Sequence, residues 1–188
     1  MQLQSLNRGI LGVSMLFSAI ASGCQSSSDN NTQLEEVTTL ILVRHAEKAN
    51  DGTDDPPLTE KGETRAATLS DWLAFTDLAA IYSTSYKRNT MTVSPTASQK
   101  DLTITTYDAG QQPEDFLTSL LEQYKGETVL VCGHSNTIPP MLNRLLGQET
   151  YENLTDSDYN HVFIVTATAL GNATVTDLQM DVPAVASP

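Results

Sequence analysis

The chain has 188 residues, 39% of them hydrophobic, enough for one domain with a real core and too few for two ordinary ones. Ten Lys and Arg face 23 Asp and Glu, a formal net charge of -13, which excludes nucleic acid and anionic lipid as electrostatic partners and makes any local cationic pocket conspicuous. Two cysteines, Cys24 and Cys132, provide no disulfide framework, least of all if the first is processed.

Residues 1–23 carry Arg8, then the apolar stretch from Gly9 to Ile20, then Ala21-Ser22-Gly23 before Cys24. This is the pattern of a signal peptide: a positive start, an apolar middle too short to span a bilayer comfortably, and small residues for cleavage. The ending resembles a bacterial lipobox, although Ala21 stands where leucine is usual, so Cys24 is the expected lipidation site and export to the periplasm or cell envelope as a lipoprotein the expected fate; secretion after simple cleavage is the alternative. Loss of Arg8 with that segment takes the charge from -13 to -14. Residues 24–36 are rich in Ser, Asp and Asn and read as a flexible tether, with a folded domain over 37–188 and membrane contact only through the anchor.

From Val37 on, short apolar runs alternate with helical patterns, which predicts βαβ units. Strands are expected near 37–43, 79–83, 103–107, 128–132, 161–168 and 173–179. A first helix begins at Thr59, which can cap it, with Glu60 and Glu63 suiting its positive end and Ala66, Leu69, Trp72 and Leu73 forming the buried stripe. A second spans about 87–99, and Pro95 leaves open whether it runs on, kinks or ends there. A third starts at Pro113, buries Phe116, Leu117, Leu120 and Leu121, and stops at Gly126; a fourth, with Pro139 and Pro140 in its first turn, buries Met141, Leu142, Leu145 and Leu146. Residues 147–160 read as a polar surface loop. The last two strands have no helix between them and form an antiparallel pair turning at Gly171-Asn172. The fold class is therefore α/β: a three-layer sandwich with a mostly parallel central sheet and an antiparallel edge.

Four strands then deliver polar side chains at their carboxyl ends, where open α/β sheets bind ligands. Arg44 and His45 follow the first, Arg88 lies just beyond Ser83-Thr84-Ser85-Tyr86 after the second, Asp108 follows the third and His134 the fourth. Two arginines offer permanently charged planar forks for a tetrahedral oxyanion, and two histidines offer a nucleophile and a donor. Each has a plainer reading: His45 as a structural histidine, Arg88 as a helix-face arginine, Asp108 as a turn residue before Ala109-Gly110, Ser135 and Asn136 as helix caps, Glu47 and Lys48 as a loop ion pair. A zinc site from His45, Glu47 and His134 would sit beside arginines that repel a cation. Cys132 reads as a core residue, and His161 has no assigned role.

In chain order, Leu-Val-Arg-His-Ala-Glu-Lys at 42–48, Leu-Thr-Glu-Lys-Gly at 58–62, Tyr-Ser-Thr-Ser at 82–85 leading to Arg88, and Val-Cys-Gly-His-Ser-Asn-Thr at 131–137 resemble the histidine phosphatase superfamily, phosphoglycerate mutase-like in fold, and in particular its compact branch with an Arg-His-Ala-Glu phrase. The resemblance implies a phosphoric monoester hydrolase in which His45 takes up the phosphoryl group as a phosphohistidine while Arg44, Arg88 and His134 hold its oxygens, with no metal and no cofactor. Ser135 follows His134 where the acid-phosphatase branch has Asp, and Asp108 is the candidate acid. The expected partner is a small phosphorylated substrate or a phosphorylated envelope component. The rivals are a noncatalytic envelope lipoprotein that binds a phosphorylated ligand, and a phosphomutase, against which the export signal argues.

Overall fold

The computed structural model describes residues 36–182; the expected signal segment, Cys24, the tether up to its last residue and the final six residues lie outside them. Ten elements follow in order: β1 (Thr38–Arg44), α1 (Glu60–Trp72), β2 (Ala80–Ser83), α2 (Lys87–Lys100), β3 (Ile104–Thr106), α3 (Pro113–Gln123), β4 (Thr128–Gly133), α4 (Ile138–Leu146), β5 (His161–Ala169) and β6 (Asn172–Gln179). They build one mixed sheet in the order β3-β2-β4-β1-β5-β6. The first four strands are parallel, while β5 and β6 run antiparallel on the other side of β1.

Strand alternation divides the core into two layers. Leu40, Leu42, Val129, Val131, Phe163 and Val165 face α3 and α4, where Phe116, Leu117, Leu120, Leu142 and Leu145 meet them. Ile41, Val43, Leu130, Cys132 and Val162 point to the opposite face and pack with Leu69, Leu73, Val93 and Ala97 of the α1–α2 side. Both faces of β1 and β4 are covered, which is why these two strands read as unbroken apolar runs. The fold is the α/β three-layer sandwich with an antiparallel edge.

Helix ends follow the expected local chemistry. Thr59 Oγ1 accepts from Gly62 N at 3.1 Å and caps α1. Gly147, at φ +69°, closes α4, and Gly171, at φ +76°, turns β5 into β6.

Three expectations change. Trp72 is 47% exposed and not part of the buried stripe of α1. Leu73 is the residue four beyond Leu69 and takes the core position, leaving Trp72 about 100° around the helix, at the edge of a shallow groove with Leu178. Pro95 neither ends nor breaks α2, which runs through it to Lys100 with Val93, Thr96 and Ala97 still buried, so packing outweighs the one lost donor. The segment 147–160 is not simply a surface loop. Asn143 fastens it by accepting from Thr150 N and Tyr151 N and donating to Tyr151 O, and Tyr151 and Leu154 pack on the core.

Candidate active site

The parallel strands β1, β2 and β4 bring their carboxyl ends together. His45 N donates to Gly133 O at 2.9 Å, extending the β1–β4 ladder by one bond and setting the residues after both strands side by side. The same carbonyl accepts from Asn89 Nδ2 at 2.8 Å, which ties the first turn of α2, and with it Arg88, to this edge. Asn89 is fully buried and its role is invisible in the sequence, where an Asn on a helix reads as surface.

His45 is 3% exposed. Its Nδ1 lies 2.8 Å from the carbonyl of Ala46, which can only accept, so the ring is protonated at Nδ1 and carries its lone pair on Nε2. Burial drives the pKa of His45 down to about 3; the Ala46 hydrogen bond resists, and the charges of Arg44, His134 and Arg88 add to the depression. Ala46 itself is buried against Leu58 and Ala66, and its N–H donates to Thr92 Oγ1 at 2.9 Å. A methyl group is therefore accommodated where the loop after His45 turns.

The imidazole of His134 sits 5.5 Å from that of His45, ring centroid to centroid, at 68°. Its Nε2 is 2.9 Å from Thr84 Oγ1, at the end of β2, and its backbone N–H donates to Thr137 Oγ1 at 2.8 Å. Burial, then the charges of Arg88 and Arg44, lowers its pKa to about 4. Both imidazoles are thus neutral near pH 7, and the local positive charge belongs to the two arginines.

Arg44 is 5% exposed. Its Nη1 donates to Thr155 O at 2.6 Å and to Asp158 O at 3.2 Å, and its guanidinium carbon lies 4.2 Å above the ring of Tyr159. The guanidinium carbon of Arg88 lies 4.3 Å over the ring of Tyr86, with Nη1 3.8 Å from Asp55. The Nε of each arginine is buried and has no protein partner. An orphaned, permanently charged donor is costly unless an anion meets it.

The remaining rings complete the site. Tyr159 is 6.0 Å from His45 and Tyr86 is 5.3 Å from His134, so four rings run in the order Tyr159, His45, His134, Tyr86. Thr84 and Tyr86 belong to the phrase at 82–86 that leads to Arg88, whereas no motif surrounds Tyr159. An aromatic residue in an otherwise polar loop was the available signal for Tyr159.

Of the candidate residues, Arg44, His45 and His134 come together, with Arg88 joined to them through Tyr86 and Asn89. Asp108 does not join them. It is exposed, its carboxylate accepts from Gly110 N at 2.9 Å, and its bonds stay within its own turn, the plainer reading of Asp-Ala-Gly. Glu47 is not paired with Lys48 and does not face the histidines as a metal ligand. It takes a two-pronged contact from Arg65 of α1, Nε at 2.9 Å and Nη2 at 2.8 Å, with Lys61 at 3.3 Å. Burial works to raise the Glu47 pKa, but the bonds and charge of Arg65, with Lys61, prevail and hold it below the usual carboxylate range. Arg65 also donates to Met180 O at 2.6 Å, and the clamp fixes the segment that carries His45. Cys132 is wholly buried, and burial raises its thiol pKa to about 12, so it is a core residue and not a nucleophile.

A buried pair of neutral histidines, flanked by two arginines with unmet donors, thus sits at the carboxyl edge of the α/β sheet. Residues 40–111, the stretch that holds Arg44, His45 and Arg88, match the model of the histidine phosphatase superfamily (branch 1). The match stops short of His134. No curated protein sequence matches the chain. Among solved structures, the protein histidine phosphatase SixA complexed with tungstate is similar at a TM-score of 0.61 and 20% identity, over 76% of this chain and 96% of that one. Phosphoserine phosphatase from Entamoeba histolytica is similar at 0.60 and 16%, over 74% and 95%. A mycobacterial glucosyl-3-phosphoglycerate phosphatase follows at 0.59 and 12%, over 78% and 100%. At these identities the likeness establishes the fold, which all three share.

Proposed function

We propose that the protein is a phosphatase that works through a phosphohistidine at His45. The observation that carries this reading is the pair of buried, unpartnered Nε donors of Arg44 and Arg88 beside a His45 ring whose only protonated nitrogen is tied to Ala46 O. His45 Nε2 attacks phosphorus in line, the bond from phosphorus to the leaving atom breaks, and the leaving group departs with the electron pair. Arg44 and Arg88 balance the charge on the phosphoryl oxygens, and His134 supports them as a neutral partner, the kind of preorganised electrostatics on which phosphoryl transfer depends. Water then attacks the phosphohistidine and restores His45.

Asp108 is given no part in the proton transfer, because its carboxylate is engaged in its own turn. Donors whose leaving group needs little protonation suit such a site: aryl phosphates, and phosphoryl groups on imidazole nitrogen, the chemistry in the name of the structural neighbour SixA. Export and lipid anchoring at Cys24 rest on the sequence alone and belong to the same proposal.

The mature protein is expected to release phosphate from p-nitrophenyl phosphate without added metal, and to trap labelled phosphate on an acid-labile, base-stable histidine. Retained turnover in His45→Ala overturns the mechanism. Tight phosphate binding with no turnover and no trapped label would establish the noncatalytic ligand-binding reading instead.

A further inference from the structure

The turn Thr155–Asp158 grips Arg44 through main-chain oxygens. Arg44 Nη1 bridges both ends of the turn, donating to Thr155 O and Asp158 O, while the flat face of the guanidinium rests on Tyr159. The turn is closed from within. The Asp158 carboxylate accepts from Thr155 N at 2.8 Å and from Thr155 Oγ1 at 2.7 Å, and Asp158 N donates to Thr155 O at 3.1 Å. It is also moored at both flanks: Leu154 N donates to Ser135 O at 3.0 Å, one residue after His134, and Met180 N donates to Asn160 O at 2.7 Å.

The consequence for Arg44 is directional. With Nη1 engaged by two carbonyls and one face covered by Tyr159, the donors left over are Nε–H, buried without a partner, and Nη2, which has only the fully exposed Asp156 carboxylate at 4.0 Å. Nε and Nη2 form one edge of the guanidinium, the edge whose two parallel N–H bonds match two oxygens of a tetrahedral anion. We infer that Asp158 is a positioning residue: by holding the turn closed it fixes the carbonyls of Thr155 and Asp158 on Nη1, and so presents the Nε–Nη2 edge of Arg44 to the phosphoryl group. This rests on the reading of the site as phosphate-binding.

The test uses the full chain and tungstate as the probe, titrated calorimetrically, alongside steady-state kinetics on p-nitrophenyl phosphate. Asp158→Ala opens the turn and is expected to weaken tungstate binding and raise KM by about tenfold, the worth of one charge-assisted hydrogen bond, with kcat changed far less. Asp158→Asn keeps an oxygen that can accept both Thr155 bonds and restores binding. Tyr159→Leu, which removes the supporting face and leaves the turn closed, is expected to weaken tungstate binding in the same direction. Unchanged tungstate affinity in Asp158→Ala overturns the inference, as does an Asp158→Asn variant as impaired as Asp158→Ala. A wild-type protein that binds no tungstate at all would refute the phosphate-site reading itself, a separate failure.

Discussion

Acidification offers a direct measure of how the site is built. In the unfolded chain His45 and His134 titrate near 6.5, whereas in the folded protein burial and the neighbouring arginines hold them near 3 and 4. Between roughly pH 4 and 6.5 the unfolded state therefore binds more protons, and stability rises with pH through that window, is complete above it, and is lost on acidification. From pH 7 to pH 5 the loss depends almost wholly on the unfolded value, because the native imidazoles stay neutral, and amounts to about 2 kcal/mol per histidine. Denaturant unfolding across this range, wild type against His134→Asn, isolates the His134 share from the carboxylates common to both: the variant is expected to lose about 2 kcal/mol less. In phosphate-free buffer the C2 proton shifts of both imidazoles are expected to stay flat from pH 8 to 5. A midpoint near 6.5 for His45, or the same acid slope in both proteins, would refute the account of two buried neutral histidines. The catalytic counterpart is a kcat/KM profile with no histidine-dependent fall between pH 7 and 5.

Other consequences are equally concrete. Arg65→Ala strands the Glu47 carboxylate with only the exposed Lys61, and is expected to cost about 3 kcal/mol, read as a melting temperature lower by roughly 6–12 °C. Gly62→Ala would drive a Cβ into the carbonyl oxygen of Glu47, with Glu47 N at 3.1 Å; the expected cost is about 1–3 kcal/mol together with reduced kcat, because the displaced backbone is the segment that follows His45. Cys132 is expected to resist iodoacetamide in the native protein and to react only as fast as the chain unfolds, which timed mass spectrometry would follow. Asp108→Ala is expected to leave kcat within about twofold of wild type, since its carboxylate serves only its own turn.

What could be read from the chain followed how local the physics is. The apolar runs at 40–43 and 129–132 are covered on both faces, so their pattern is unbroken and the polar residues after them fall at the sheet's carboxyl edge wherever the rest of the chain goes. The α1 start was equally readable, because Thr59 and Gly62 satisfy each other across three positions. Asp108 also sits at a strand end, but its side chain has a backbone donor two residues away and takes it, and strand position alone cannot reveal which partner a carboxylate chooses. The turn at 155–158 was hidden for the opposite reason. It meets Arg44 across 111 residues through main-chain oxygens, which carry no sequence signature. Glu47 and Arg65 are 18 apart, and nothing in periodicity says which acid a buried arginine will find.

The place of β1 in the sheet has a consequence for motion. It pairs with β4 on one side and β5 on the other along nearly its whole length, so its amides open only when the sheet itself comes apart. His45 is thus mounted on the part of the molecule expected to exchange its hydrogens last, while the exposed 50–54 segment, which joins no strand, can open on its own. Local opening is then confined to the margins of the site, with the His45 backbone left in register throughout.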